Sequence, residues 1–479
     1  MTLKRNFTYN AILTFSQFIF PLITFPYAAR VLGVEGIGIT GFIESFSRYF
    51  LLFAVAGIPI YGMREIARRR DDTTSVNRAF TEIFSIQFYL SIIATVIYLV
   101  SLLFLKDFDE FRVLYFMGGF LIFSNIFSLE WVFQGLEDFK FITLRTIFIR
   151  ALTILLLFLI VKTREDYIWY FFLLIFSSTA NGIVNFLHVK KYFRTTLTVS
   201  YQRIKGHLKP IALTGGYLFA ISIYTLLTTV LLGFISSDEA VGYYTVAIKF
   251  NRIALGVFSA LSTVLIPKLS NIAANDDKEA YQALINKSIS FVLTLGFPIA
   301  ISIFLLAPEL ISLFAGPGYE ASVICVQVMS PVVLITAMAQ IFGPQILIPF
   351  SRDKQNIISV SIGACLSLLA NLILIPLFNE LGASISTVVV ELIVALITLF
   401  YALRVINMHI NTRELVIRIL LIFPFFLIAL ICRNFFSSDF TILISYGVAG
   451  FLYFIIIETV ILKDPLFSKA LKIKSRSES

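Results

Sequence analysis

The residues in this chain whose types and spacing could do chemistry are charges set inside long apolar runs. Glu44 and Arg48 stand four apart in the run 39–61, so they share one helix face. Lys249 and Arg252 stand three apart in the run 241–266, which contains no acid. Arg150 lies mid-run in Ile149-Arg150-Ala151-Leu152, Glu130 and Glu391 lie in runs of their own, and Arg30 closes the first run. A charge at the centre of a bilayer costs about 2.5–3.5 kcal/mol on insertion scales, so such residues face a cavity or a partner. Arg48, Lys249 and Arg252 converging on one lumen would suit an anion. The planar fork of arginine suits phosphate in particular. The competing reading is a set of salt bridges to Glu44, Glu130 and Glu391. Arg150 either lines the same lumen or snorkels to the interface, and Arg30 is a further candidate for the anion site that also reads as an interfacial anchor.

Catalytic chemistry finds little support. Cys325, Cys365 and Cys432 are scattered in apolar runs, as are His188, His207 and His409, and they form neither a disulfide framework nor a metal-ligand spacing. No glycine-rich phosphate loop ending in Lys-Ser/Thr is present. The loops are too short for a soluble catalytic domain. The expectation is a protein without catalytic residues, metal or cofactor. Coupling to a proton or sodium gradient is open, with Glu44, Glu130 and Glu391 as candidate ion carriers or charge partners. Asn125, Gln134, Asn181, Asn185, Gln340 and Asn371 either bind sugars or join helices to one another.

The elements that must position these residues are membrane helices. Of 479 residues, 58% are apolar and 14% charged, and 50 are Phe. Soluble domains average about 45–50% apolar and about 25% charged. A span needs about 20 mostly apolar residues. Runs of that kind fall at 9–29, 39–61, 80–104, 112–134, 142–161, 167–187, 211–235, 241–266, 284–306, 322–349, 357–377, 383–403, 415–434 and 441–462. They are too long and continuous for outer-membrane strands. The expected fold is an all-α integral membrane protein of about fourteen transmembrane helices. The first run, with Asn10, Gln17, Pro21 and Pro26, reads as a retained helix rather than a cleaved signal.

The net charge of +9 resembles a nucleic-acid signal until the bases are located. Arg64, Arg68, Arg69, Arg70 and Arg78 follow span 2, and Lys190, Lys191, Arg194, Arg203, Lys205 and Lys209 follow span 6. Bases cluster at the N-terminus, after even-numbered spans and in the C-terminal tail, which predicts cytoplasmic termini. The excess is therefore a positive-inside imprint, and no nucleic-acid partner is expected.

A repeat divides the chain. Glu35, Gly38, Phe46 and Arg48 recur 204 residues later as Glu239, Gly242, Phe250 and Arg252. Phe15, Leu22 and Thr24 likewise match Phe219, Leu226 and Thr228. Six spans separate the copies, so both have one orientation, a parallel repeat about the membrane normal. The expected organisation is an N-lobe (1–205, spans 1–6), a C-lobe (206–410, spans 7–12) and a terminal pair with a basic tail (411–479). Pro21, Pro26, Pro331, Pro344 and Pro349 mark places where helices break or bend.

Three motifs carry a resemblance over nearly the whole chain. They are Pro26-Tyr27-Ala28-Ala29-Arg30-Val31-Leu32-Gly33 with Glu35-Gly36-x-Gly38, the run Glu130-Trp131-Val132-Phe133-Gln134-Gly135-Leu136-Glu137-Asp138-Phe139-Lys140, and Asn371…Ile375-Pro376…Leu381-Gly382-Ala383…Glu391. Together they resemble bacterial O-antigen and capsule polysaccharide flippases of the multidrug/oligosaccharidyl-lipid/polysaccharide exporter superfamily. The resemblance implies two six-helix lobes, alternating access in the bacterial inner membrane, and an undecaprenyl-diphosphate-linked oligosaccharide as cargo. It also implies lumen arginines that hold the diphosphate, with polysaccharide polymerase machinery as a further partner. Arg48 and Arg252 correspond to lumen arginines of the related lipid II flippases. Those relatives carry further arginines in span 1, where this sequence has only Arg30. A lipid II flippase or cation-coupled drug antiporter is the alternative within the superfamily. A membrane glycosyltransferase or polymer ligase is the alternative outside it.

Overall fold

The computed structural model describes residues 3–105, 108–193, 196–197, 200–275, 277–406 and 417–458. The protein is all-helical, and no strand occurs among the described residues. The helices in chain order are α1 (Leu3–Val55), α2 (Ile58–Arg69), α3 (Thr73–Ser101), α4 (Arg112–Ser124), α5 (Glu130–Gly135), α6 (Phe139–Ile160) and α7 (Tyr167–Val189). They continue with α8 (Tyr201–Ile235), α9 (Asp238–Ala274), α10 (Lys278–Phe314), α11 (Glu320–Gln340), α12 (Asp353–Leu403), α13 (Phe423–Phe435) and α14 (Asp439–Ile456). Among the described residues, eleven helical stretches are long and apolar enough to cross a membrane. This is a multi-pass membrane protein. The basic tail beyond 462, the boundary at 411 and His409 lie outside the described residues.

Two of the eleven stretches, 58 and 51 residues long, have the length of two crossings each, and each is bent. α1 bends at Gly33, whose φ of 71° is open to glycine and strained for residues with a Cβ. α12 bends at Asn379 with φ 47°, a conformation that asparagine tolerates better than most. Just past that bend the chain returns so closely that a Cβ on Gly382 would meet the Leu374 carbonyl oxygen at 2.1 Å.

Close packing divides the chain into two units, Met1–Thr245 with Ile357–Ser386, and Val246–Asn356 with Thr387–Ser479. In the first, Phe80, Phe84, Leu129, Trp131, Phe133, Ile142 and Phe193 form an aromatic-rich core. The repeat-related glycines also meet there. A Cβ on Gly38 would fall 1.8 Å from the Asp238 carbonyl oxygen and 3.1 Å from the Gly242 nitrogen, and one on Gly242 would fall 2.3 Å from the Val34 carbonyl oxygen. The two copies of the Glu-x-x-Gly pattern thus pack backbone to backbone. In the second unit, Leu306, Phe425, Ala429, Cys432, Ile442 and Tyr446 join α10, α13 and α14. Large side chains such as Phe148, Leu213, Phe423 and Phe435 are exposed. That distribution suits helices solvated by lipid, where association rests on close packing and hydrogen bonds.

A backbone carbonyl freed inside a bilayer must find a partner within the protein. The break at Asn125–Leu129, between α4 and α5, meets this requirement through one side chain on α3. Gln87 Nε2 donates to the Asn125 carbonyl at 2.6 Å and the Ser128 carbonyl at 3.2 Å, while its Oε1 accepts from Trp131 Nε1 at 2.9 Å. Gln87→Leu keeps the volume but orphans an indole N–H and two carbonyls. A buried unsatisfied group costs about 1–3 kcal/mol. The thermal midpoint of the purified variant in detergent is expected to fall by several degrees. That of Gln87→Glu is expected to fall as well, because it still accepts from Trp131 but sets a carboxylate oxygen against the two carbonyls in place of their donor.

Candidate functional site

The bend at Gly33 splits α1 so that its second half carries Glu44 and Arg48 one turn apart. Arg48 Nε donates to Glu44 Oε1 at 2.8 Å, which realises the pair expected from the spacing. The contact engages Nε, and 49% of the Arg48 side chain stays exposed. The pairing therefore leaves the outer edge of the guanidinium available to a ligand. Arg30, at the end of the first half, is exposed and the adjacent Ala29 is buried.

Arg150 on α6 is half-buried and fixed to α1. Its guanidinium donates to Ser16 Oγ and lies 5.5 Å from the centre of the Phe20 ring. Those contacts hold α1 to α6. Glu130 is drawn to a residue outside the set of expected interior charges, Arg145. Arg145 Nη2 donates to Glu130 Oε2 at 3.1 Å and to Thr146 Oγ1 at 3.0 Å, and its Nη1 donates to Asn185 Oδ1. Gln134 adds a bond to Glu130 Oε1 at 3.2 Å. The Arg145 side chain is only 4% exposed, and its Nε lacks a hydrogen-bond partner. This network joins α5, α6 and α7.

In the second unit Lys249 and Arg252 sit one turn apart on α9, the first half-buried and the second exposed. Between them Asn251 is buried, its Nδ2 donating to the Ala247 carbonyl at 3.1 Å. Glu391 on α12 is buried and accepts from Thr336 Oγ1 on α11 at 3.1 Å. Near it α11 continues into a wider π-helical turn, Ile341–Leu347, which contains Pro344. The turn is tied down by Gln340 to Ser259 at 3.1 Å, Gln345 to Ser262 at 3.2 Å and the Tyr281 hydroxyl to the Gln345 carbonyl at 2.5 Å. Proline removes a helical N–H, and the polar side chains around it take over the ladder.

Asn125, Asn185, Gln340 and Asn371 join different helical elements, whereas Gln134 and Asn181 bond within their own helices. Asn125 donates to Ser91 Oγ at 3.1 Å, Asn371 to Thr228 Oγ1 at 3.0 Å, and Asn185 accepts from Arg145. Three further pairs join positions that sequence spacing does not connect. His207 Nε2 meets Glu82 Oε2 at 2.8 Å, and its Nδ1 meets the Tyr61 hydroxyl at 2.7 Å. Arg418 pairs with Glu458 at 2.9 Å, both almost fully buried. Arg433 makes a forked pair with Glu309 at 2.6 and 2.8 Å. Outside the spanning stretches Arg70 donates to Glu137 at 2.5 Å, and that bond raises the pKa of its guanidinium. Among the described residues no group of three His, Cys, Asp or Glu side chains is placed to hold a metal ion.

Removing one partner of a buried ion pair costs on the order of 3 kcal/mol because the other charge is stranded. Arg145→Met is therefore expected to lower the thermal midpoint strongly. Glu130→Gln is expected to do less, since 38% of the Glu130 side chain is exposed. The double variant should be more stable than the sum of the two losses. Additive losses would show that the pair is not coupled.

Comparison with known proteins follows the same lines. The model of a family described as "Polysaccharide biosynthesis protein" matches residues 3–273. A protein of Escherichia coli (strain K12) named "Putative O-antigen transporter" is 28% identical over 408 residues, covering 84% of this chain and 97% of that protein. A protein of the same name from Shigella dysenteriae is 24% identical over 403 residues, covering 83% and 99%. Among solved structures, lipid II flippase MurJ in an inward closed conformation aligns with a TM-score of 0.72 at 15% identity, over 96% of this chain and all of that one. An inward-facing multidrug resistance transporter of the MATE family, in the MOP superfamily, aligns at 0.65 with 16% identity, over 82% of this chain and 98% of that one. These two likenesses concern the fold.

Proposed function

The chain belongs to the polysaccharide biosynthesis protein family, and from that premise we propose that it is a flippase for lipid-linked oligosaccharides. The proposed cargo is an undecaprenyl-diphosphate-linked repeat unit destined for O-antigen or capsule. The proposed site is the bacterial inner membrane, with both termini in the cytoplasm. The names of the E. coli and S. dysenteriae relatives support the class of cargo. The observation that carries the chemistry is Arg48. It is a cation within an apolar run, paired through Nε yet half exposed, and its repeat-related counterpart is the exposed Arg252.

In this proposal the lobes are residues 1–205 and 206–410, with 411–479 as a terminal pair. The diphosphate is held by Arg48, Lys249 and Arg252. Two phosphates match arginine forks and a lysine point charge better than a neutral or cationic drug would. The sugars occupy water and the polyprenyl tail stays in lipid, because burying either in the other's solvent is costly. Anion binding relieves repulsion among the cations and so favours closure behind the cargo. Glu44 and Glu391 are the proposed carriers of a coupling proton or sodium ion, while Glu130 serves as the charge partner of Arg145. No bond in the cargo is made or broken, so the protein acts as a transporter rather than an enzyme.

A charge-assisted hydrogen bond contributes about 1.5–3 kcal/mol, which is roughly tenfold to a hundredfold in affinity. Arg48→Ala and Arg252→Ala, each introduced singly into the chromosomal copy, are expected to abolish or strongly reduce surface polysaccharide at normal protein level. The lipid-linked repeat unit should accumulate in the membrane. Undiminished polysaccharide in both variants would overturn the assignment of these cations.

A further inference from the structure

The first unit contains a cavity of about 560 Å³ whose lining includes none of the residues assigned to the cargo. Its walls come from the start of α3, the end of α7 and the start of α8, the side that the distribution of bases places in the cytoplasm. Arg78, Lys190, Lys191 and Arg203 line it, and Glu82 is the one acid in its lining. Among the described residues none of these four bases is held in an ion pair. Four cations around one cavity repel one another, and an anion between them would relieve that repulsion.

Glu82 gives the cavity a second kind of specificity. Its side chain is only 10% exposed, and one oxygen, Oε2, is engaged by His207. His207 bridges the two groups, its Nε2 in a hydrogen bond with the Glu82 carboxylate and its Nδ1 in one with the Tyr61 hydroxyl. The chain Tyr61–His207–Glu82 fixes the carboxylate from behind. No other hydrogen bond to the Glu82 carboxylate occurs among the described residues, so Oε1 is left to accept from whatever enters the cavity. Asn77 and Thr81, on the same helix, also line it. A carboxylate among cations repels a bare anion and rewards a ligand that brings a hydroxyl with its phosphate. The volume falls in the range of small-molecule sites, roughly 300–1,000 Å³.

We propose that this cavity binds a hydroxyl-bearing phosphate ester, its phosphate on Arg78, Lys191 and Arg203 and its hydroxyl on Glu82. The chemistry is shared by a soluble glycerol phosphate and by the headgroup of phosphatidylglycerol. Its lining shares no residue with the proposed cargo cations, so the test of binding here does not depend on whether the chain flips lipid-linked sugars.

The test uses the full-length protein purified in a neutral detergent. One arm titrates glycerol 3-phosphate and inorganic phosphate by calorimetry. The other counts phosphatidylglycerol retained against phosphatidylcholine by native mass spectrometry. Wild type should bind at least one glycerol-bearing probe, the responding arm naming the source, and R78Q/R203Q should weaken that binding at least tenfold with an unchanged thermal midpoint. E82Q should keep phosphate binding while narrowing the preference for glycerol 3-phosphate over inorganic phosphate, or for phosphatidylglycerol over phosphatidic acid. Absence of binding in both arms, or equal binding by wild type and R78Q/R203Q, overturns the site. An E82Q protein with full preference overturns the hydroxyl contact. Should R78Q/R203Q fail to fold, K191Q, which alters one exposed side chain, replaces it with a smaller loss expected, and an unchanged K191Q overturns the site.

Discussion

Everything in this fold depends on one constraint: a polar group placed inside an apolar span must be satisfied by the protein itself. Gln87 shows it on the smallest scale, one amide closing two carbonyls and an indole at the break between α4 and α5. Arg145 shows it for charge, its donors shared among Glu130, Thr146 and Asn185. The second unit answers in the same way with Arg418–Glu458 and Arg433–Glu309. These buried groups lock helices together. Arg48 and Arg252 instead stay exposed within apolar runs, and the proposed cargo site is built on that contrast.

The motifs that carry the family resemblance turn out to sit at structural junctions. The stretch ending Arg30-Val31-Leu32-Gly33 is the bend of α1, and Asn371 to Gly382 spans the bend of α12 at Asn379. Glu130 to Gly135 is the short helix after the α4 break, where Gly135 leaves no room for a Cβ beside Ile66. Gly38 and Gly242, matched by the repeat, meet in one contact. A transporter that moves needs joints whose backbone geometry is tightly set. Such positions constrain sequence more narrowly than lipid-facing Leu or Phe, which many apolar residues can replace.

The helical class, the apolar runs and the Glu44–Arg48 pair were legible because they follow from local periodicity and composition. Arg145 was not, although it lies three residues inside the run 142–161. Near a span end a single base is diluted by its apolar neighbours and resembles loop charge. Glu82, Arg418 and Glu458 were missed for the same reason. Their partners lie 40 to 125 positions away, and helical spacing carries no signal over such distances. For the interior amides the sequence favours helix contacts over sugar contacts, and only coordinates could show which partners Asn125, Asn185 and Asn371 take on neighbouring elements.

The central claim is that this chain moves a diphosphate-linked oligosaccharide across a bilayer by way of its interior cations. It is tested most directly by reconstituting the purified protein into liposomes holding an undecaprenyl-diphosphate-linked oligosaccharide and following the access of an external lectin to the sugar. Protein-dependent exposure of the inner-leaflet pool, inhibited by added undecaprenyl diphosphate and absent from a liposome lacking the protein, is the expected result. Folded protein that leaves the inner-leaflet pool shielded, at every imposed proton or sodium gradient, would contradict it.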